Sequence, residues 1–162
     1  VEATLDYEDA SGFSFKYPEG IQVTDKTPEE DETYYTLLEL SKEKGAMAGE
    51  QIEITVKDVE YKSVDDWVLK DAAAPKNLNL VGATTLGDIN VNQYSYKPQT
   101  GGEFIITVGI DQGVLYLLEG PKDAGFWEAT HNAVVLTFTF AGSTPKALPG
   151  ENIIYEEEEV IE

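Results

Sequence analysis

The chain has 162 residues, 31 acidic against 11 basic, for a formal net charge of −20, and no cysteine. That length suits one domain with one core, and the missing cysteine excludes disulfides, thiolate metal sites and a cysteine nucleophile. Every basic residue is lysine, so the chain repels nucleic acid and anionic lipid and has no guanidinium to clamp a phosphate or carboxylate in bidentate fashion.

The first element is carried by "GFSFKYPEGIQV", residues 12–23. Phe13, Phe15 and Tyr17 fall on one face of a strand, with Ser14 and Lys16 on the other. Pro18, Glu19 and Gly20 form a turn, after which Ile21 and Val23 resume the alternation. A polar block at 27–32 separates these strands from a third at 34–40, rich in tyrosine and leucine. Small residues loop over 45–49. Residues 50–57 then alternate cleanly, with Ile52, Ile54 and Val56 on one face.

A helix is predicted next. Ser63 is its N-cap and Asp66 stands three residues on, as in a capping box, with acids at the positive end of the dipole. Val64, Trp67, Val68 and Ala72 supply an apolar stripe, and Pro75 ends it. Strands follow at 80–86, 89–96, 103–110 and 114–119, separated by glycine-containing turns short enough for an antiparallel meander. A second helix starts at Asp123 and runs to about Leu136, with Trp127, Thr130, His131 and Val134 on one face. Residues 137–140 are extended again. The order is four strands, a helix, four strands and a helix, and the class is α+β. Residues 1–140 are read as the domain, and 141–162 as a linker and an acidic C-terminal tail.

Three stretches carry a resemblance to a known family: "GFSFKYPEGIQV", "EFIITVGIDQGVLYLLEGP" and "DAGFWEATHNAVVLTFTF". In this order they resemble the PsbP-like domains of extracytoplasmic lipoproteins and of the lumenal oxygen-evolving photosystem subunit. The likeness runs from about Asp6 to Phe140 and rests on structural motifs. One position departs from the family pattern: where a tryptophan often follows the Pro-Glu-Gly turn, this chain has Ile21. The resemblance implies an antiparallel sheet covered by helices on both faces, an α/β/α sandwich. It further implies a periplasmic or cell-surface location, tethered to a membrane by a lipid anchor upstream, and no catalytic residues. A sequence opening on Val1 rather than methionine implies an upstream segment removed, either by processing or by design. No run of about 18 apolar residues predicts a membrane-spanning helix.

Candidate chemistry is sparse. His131 is the sole histidine, and with Glu128 it makes one E-x-x-H spacing, where a di-metal bundle needs two such motifs. No serine sits in G-x-S-x-G, and phosphate-cradling glycine loops are absent. With 31 acids, carboxylate pairs mean nothing without geometry. Hard cations take oxygen ligands, so Ca²⁺ is the cofactor to consider, with Glu29, Glu30, Asp31 and Glu32, and Glu156, Glu157, Glu158 and Glu159 of the tail, as its candidate ligands. The leading expectation is a non-catalytic binding or assembly domain that meets a protein or a cationic polymer. A calcium-responsive module and an unrecognised hydrolase are the alternatives.

Overall fold

The computed structural model describes residues 2–43, 50–99 and 101–141. Ten strands and two helices follow one another as β1 (Ala3–Glu8), β2 (Phe13–Pro18), β3 (Ile21–Asp25), β4 (Tyr34–Lys42), β5 (Gln51–Asp58), α1 (Val64–Lys70), β6 (Asn79–Leu86), β7 (Ile89–Tyr96), β8 (Phe104–Asp111), β9 (Val114–Pro121), α2 (Phe126–Thr137) and β10 (Thr139–Phe140). Every strand pairing is antiparallel. The expected acidic tail lies outside the described residues.

The expected single meander is corrected to two sheets. A seven-stranded sheet runs β3-β4-β5-β9-β8-β7-β6, and a three-stranded one runs β1-β2-β10. The connection through α1 carries the chain from β5 to the far edge of the large sheet. Strands β6 to β9 then return as a meander until β9 meets β5. The second difference lies at Pro18, Glu19 and Gly20. Proline gives no ladder N–H and Gly20 has φ +90°, so this turn is a corner that passes the chain from one sheet to the other.

β1 had no counterpart among the predicted strands. It pairs with β2, Leu5 facing Tyr17 and Tyr7 facing Phe15. Its acids Asp6 and Glu8 stay exposed.

The main core gathers Phe13, Phe15, Leu38, Leu40, Ile52, Ile54, Val56 and Leu118 with Trp127, Val134 and Val135 of α2. Each of these residues is nearly inaccessible to solvent, and truncating one such side chain to alanine typically costs about 2–5 kcal/mol. A second cluster forms around Trp67 of α1 with Ile106, Val108 and Leu115. Along β8, Ile106 and Val108 join Trp67, while Thr107 between them bonds His131 of α2.

Both helix starts are set locally. Ser63 Oγ accepts the Asp66 N–H at 3.1 Å, as the capping box requires. At α2 the carboxylate of Asp123 accepts the N–H groups of Gly125, Trp127 and Glu128 at 2.9–3.1 Å. The helix itself begins at Phe126, later than the sequence implies, because Asp123 caps it from outside the first turn.

Candidate functional site

The aromatic stripe of β2 belongs to the core. Phe13 and Phe15 are buried, their rings stack against Phe138 with centroids 4.9 and 6.4 Å away, and Tyr17 packs beside Phe15. The E-x-x-H pair does not converge on a common point. Glu128 Oε1 turns back to accept the Ala124 N–H at 3.0 Å, whereas His131 is wholly buried with Nε2 2.7 Å from Thr107 Oγ1. Glu128 is partly exposed, whereas His131 and Thr107 have no solvent exposure and so no direct route to a substrate.

The acids of the 27–32 block are not drawn together either. Glu29, Glu30 and Glu32 are exposed. Asp31 folds onto its own chain, accepting the N–H and hydroxyl of Thr33 at 3.0 and 2.6 Å, and these bonds hold its carboxyl below the usual range. Glu156, Glu157, Glu158 and Glu159 lie outside the described residues. Among the described residues no group of three or more acidic or imidazole side chains is placed to hold a metal ion.

The structure instead aligns three glutamates that the sequence reading passed over. Register sets Glu39 of β4 opposite Glu53 of β5, and Glu53 opposite Glu119 of β9. Side chains directly opposite on adjacent strands share a face, so the three carboxylates form a row across the sheet. Leu117, Ile106 and Tyr94, partners of the Trp67 cluster, continue the same face on β9, β8 and β7. That cluster takes nothing from β4 or β5, which leaves the Glu39 and Glu53 end of the row uncovered by α1.

Each carboxylate has a distinct setting. Glu39 Oε2 meets Lys26 Nζ at 3.2 Å. Glu119 accepts the hydroxyl of Tyr96. Between them, Glu53 and Glu119 line a shallow cleft with Gln51 and Phe104. Partial desolvation there pushes the Glu53 carboxyl above its ordinary range, and the charges of Glu119 and Glu39 push it further in the same direction, against a smaller opposing effect of Lys26. The Tyr96 phenol is raised too, by burial first and then by its bond to Glu119. The row is therefore an under-compensated negative strip. It had a readable signal, since each glutamate is preceded by a core residue on its strand: Leu38 before Glu39, Ile52 before Glu53 and Leu118 before Glu119.

The solution structure of cyanobacterial PsbP (CyanoP) from Synechocystis sp. PCC 6803 matches this chain with a TM-score of 0.50. The match covers 86% of this chain and 94% of that one. The fold is PsbP-like. At 13% sequence identity the likeness concerns the fold alone. No family model and no curated protein sequence matches the chain. Within the PsbP-like fold, two of the stretches that carried the resemblance meet in the small sheet, where β2 pairs with β10 through Ser14 and Thr139 and through Phe13 and Phe140.

Proposed function

We propose that this chain is a non-catalytic binding or assembly domain that receives a cationic partner, a protein segment or polymer bearing lysine or arginine, on the glutamate row. One observation carries the reading: Glu39, Glu53 and Glu119 stand in direct cross-strand register, and the ion pair in the row is that of Lys26 with Glu39. Like charges placed directly opposite destabilise a sheet by a few tenths to about 1 kcal/mol per pair. An arriving cation relieves that repulsion and gains charge-assisted hydrogen bonds. An extracytoplasmic, membrane-tethered setting, which the resemblance implies, completes the proposal, with the lipid anchor upstream of this domain.

The test is calorimetric titration with an oligolysine peptide at about 0.02 and 0.2 M NaCl, where screening lengths differ roughly threefold. Binding should weaken with salt and fall roughly tenfold, about 1.4 kcal/mol, in Glu53→Gln with Glu119→Gln. A control, Glu19→Gln with Glu60→Gln, removes the same charge from exposed positions off the row. Equal losses in the two double variants would reduce the effect to net charge and sink the proposal. A parallel thermal melt with Ca²⁺, Mg²⁺ and matched monovalent salt separates a calcium-responsive module, for which Ca²⁺ alone would raise the Tm.

A further inference from the structure

The buried face of α2 carries a polar patch inside an otherwise apolar core. Trp127 is 3% exposed, and Thr130 and His131 are fully buried. On that face Trp127 Nε1, Thr130 Oγ1 and His131 Nδ1 have no hydrogen-bond partner among the described residues. Buried polar groups in native proteins are almost always paired, with protein or with ordered water, because an unpaired one forfeits its hydration. Three orphans on one helix therefore call for a common cause. Thr130 and His131 stand three and four residues after Trp127, the spacing that makes side chains neighbours on a helix.

The protons can be assigned. Thr107 Oγ1 has two partners among the described residues, Gln93 Nε2 at 3.0 Å and His131 Nε2 at 2.7 Å. The amide nitrogen of Gln93 only donates, so Thr107 gives its own proton to His131 Nε2. Burial keeps the ring neutral at pH 7, and with Nε2 accepting, its hydrogen sits on Nδ1. The patch thus offers two N–H donors, Trp127 Nε1 and His131 Nδ1, beside a hydroxyl that both gives and takes.

We propose that this patch is an internal water site, in which a water oxygen accepts from Trp127 Nε1–H and His131 Nδ1–H and donates one proton to Thr130 Oγ1. The chemistry of the patch selects this occupant. A metal cation does not fit, because an N–H nitrogen of an indole or a neutral imidazole has no lone pair to give. An anion would be stripped of solvent at a heavy desolvation cost. An apolar group would leave both donors unpaired. Water supplies two lone pairs and a proton without net charge, and three bonds is the usual number for a buried one. Two N–H···O bonds of about 2.9 Å laid end to end reach roughly 6 Å, the scale of the spacing between neighbours on a helix. The site fastens α2 to the large sheet, since Thr107 and Gln93 extend its hydrogen bonds onto β8 and β7.

The test is water-selective NOE and ROE spectroscopy on the isotope-labelled chain, with thermal melts of Thr130→Val. The Trp127 indole proton should show a water cross-peak of the sign given by a water that tumbles with the protein. Long-range proton–nitrogen correlation at neutral pH should find His131 protonated at Nδ1. Thr130→Val keeps the shape and removes the hydroxyl, so the sign of its effect is diagnostic. Loss of a bond to water lowers the Tm by a few degrees, whereas loss of an orphan hydroxyl raises it. An indole proton with no such cross-peak, an imidazole protonated at Nε2, or a Tm unchanged or raised in Thr130→Val would overturn the proposal. The two spectroscopic readings use the unsubstituted chain, so they stand even if the variant fails to fold. α2 packs on the Ile52 and Ile54 face of the sheet, away from the glutamate row, so this proposal and the cationic one fail separately.

Discussion

Nε2 of His131 and Oγ1 of Thr107 lie 2.7 Å apart, and neither residue has any solvent exposure. Burial pushes the imidazole down to about 4, so it is neutral in the folded chain at pH 7. In the unfolded chain a histidine titrates near 6.5. Between those values the unfolded state binds more protons, and stability rises with pH. Acidification from pH 7 to pH 5 should therefore cost on the order of 2 kcal/mol, because one pH unit is worth about 1.4 kcal/mol per proton. Urea melts across this range check it. His131→Leu should flatten the slope above pH 4 while lowering stability at pH 8 by about 1–3 kcal/mol, since the Thr107 hydroxyl keeps the bond from Gln93 Nε2 but loses the imidazole.

Asp9 joins the two sheets. Its carboxylate accepts the hydroxyls of Tyr7, Ser11 and Thr36 and the N–H of Ser11, and Thr36 belongs to β4 of the large sheet. Burial alone would raise its pKa, but these four donors together outweigh it and hold the carboxyl below the usual range. A depressed carboxylate contributes stability above its unfolded pKa and loses it as the pH falls through the folded one. Asp9→Ala should cost about 2 kcal/mol at pH 7, as loss of bonds to a charged group does. The deficit should shrink below about pH 4, where unfolded aspartates protonate. Chemical denaturation at pH 7 and pH 3 tests both statements.

For Glu53 the sign reverses. Its raised carboxyl favours the folded state while protonated, and that advantage is lost as the pH rises through the folded value. Glu53→Gln should stabilise the chain by roughly 0.5 kcal/mol at pH 7 and low salt, in the range of one relieved like-charge pair. Because the carboxyl is solvated on one side, about 0.5 M NaCl should erase most of the gain. The variant would be more stable and a poorer binder of cations, which a melt and a titration on the same sample read together.

Gly109 marks a close approach of β8 to β7. A Cβ there would sit 2.6 Å from Val91 Cγ1 and 2.8 Å from the Asn90 carbonyl oxygen. The oxygen is backbone and cannot swing aside, so Gly109→Ala should cost about 1–3 kcal/mol, the usual penalty for overpacking. Gly102, with nothing within 4 Å of its Cβ position, is the comparison site. Gly102→Ala should leave the Tm within a degree or two, as a substitution of about 0.5 kcal/mol would.

The strands that could be read from the sequence were those with clean alternation. Ile52, Ile54 and Val56 announce the buried face of β5, and the same pattern places Glu53 outward. What alternation does not carry is which strand lies beside β5. That neighbour is β9, a pairing decided by the route of the chain through α1, and the glutamate row depends on it. β1 escaped notice because Asp6 and Glu8 are poor strand formers and only Leu5 and Tyr7 mark its alternation. His131 was visible as a lone histidine, but its seat against Thr107 needs the packing of α2 on β8. The Ser63 cap was legible because its partners lie within three residues of it.

Strands β3 to β5 and β6 to β9 are each built from neighbours in the sequence, and one long-range ladder, β5 on β9, fastens them together. Closing that ladder brings Glu53 to Glu119 across most of the intervening chain, an entropic cost that local hairpins do not bear. Non-local pairing of this kind slows the approach to the native state. Glu39 and Glu53 arrive with the first meander and Glu119 with the second. The three-glutamate strip is therefore complete only once β5 and β9 have paired.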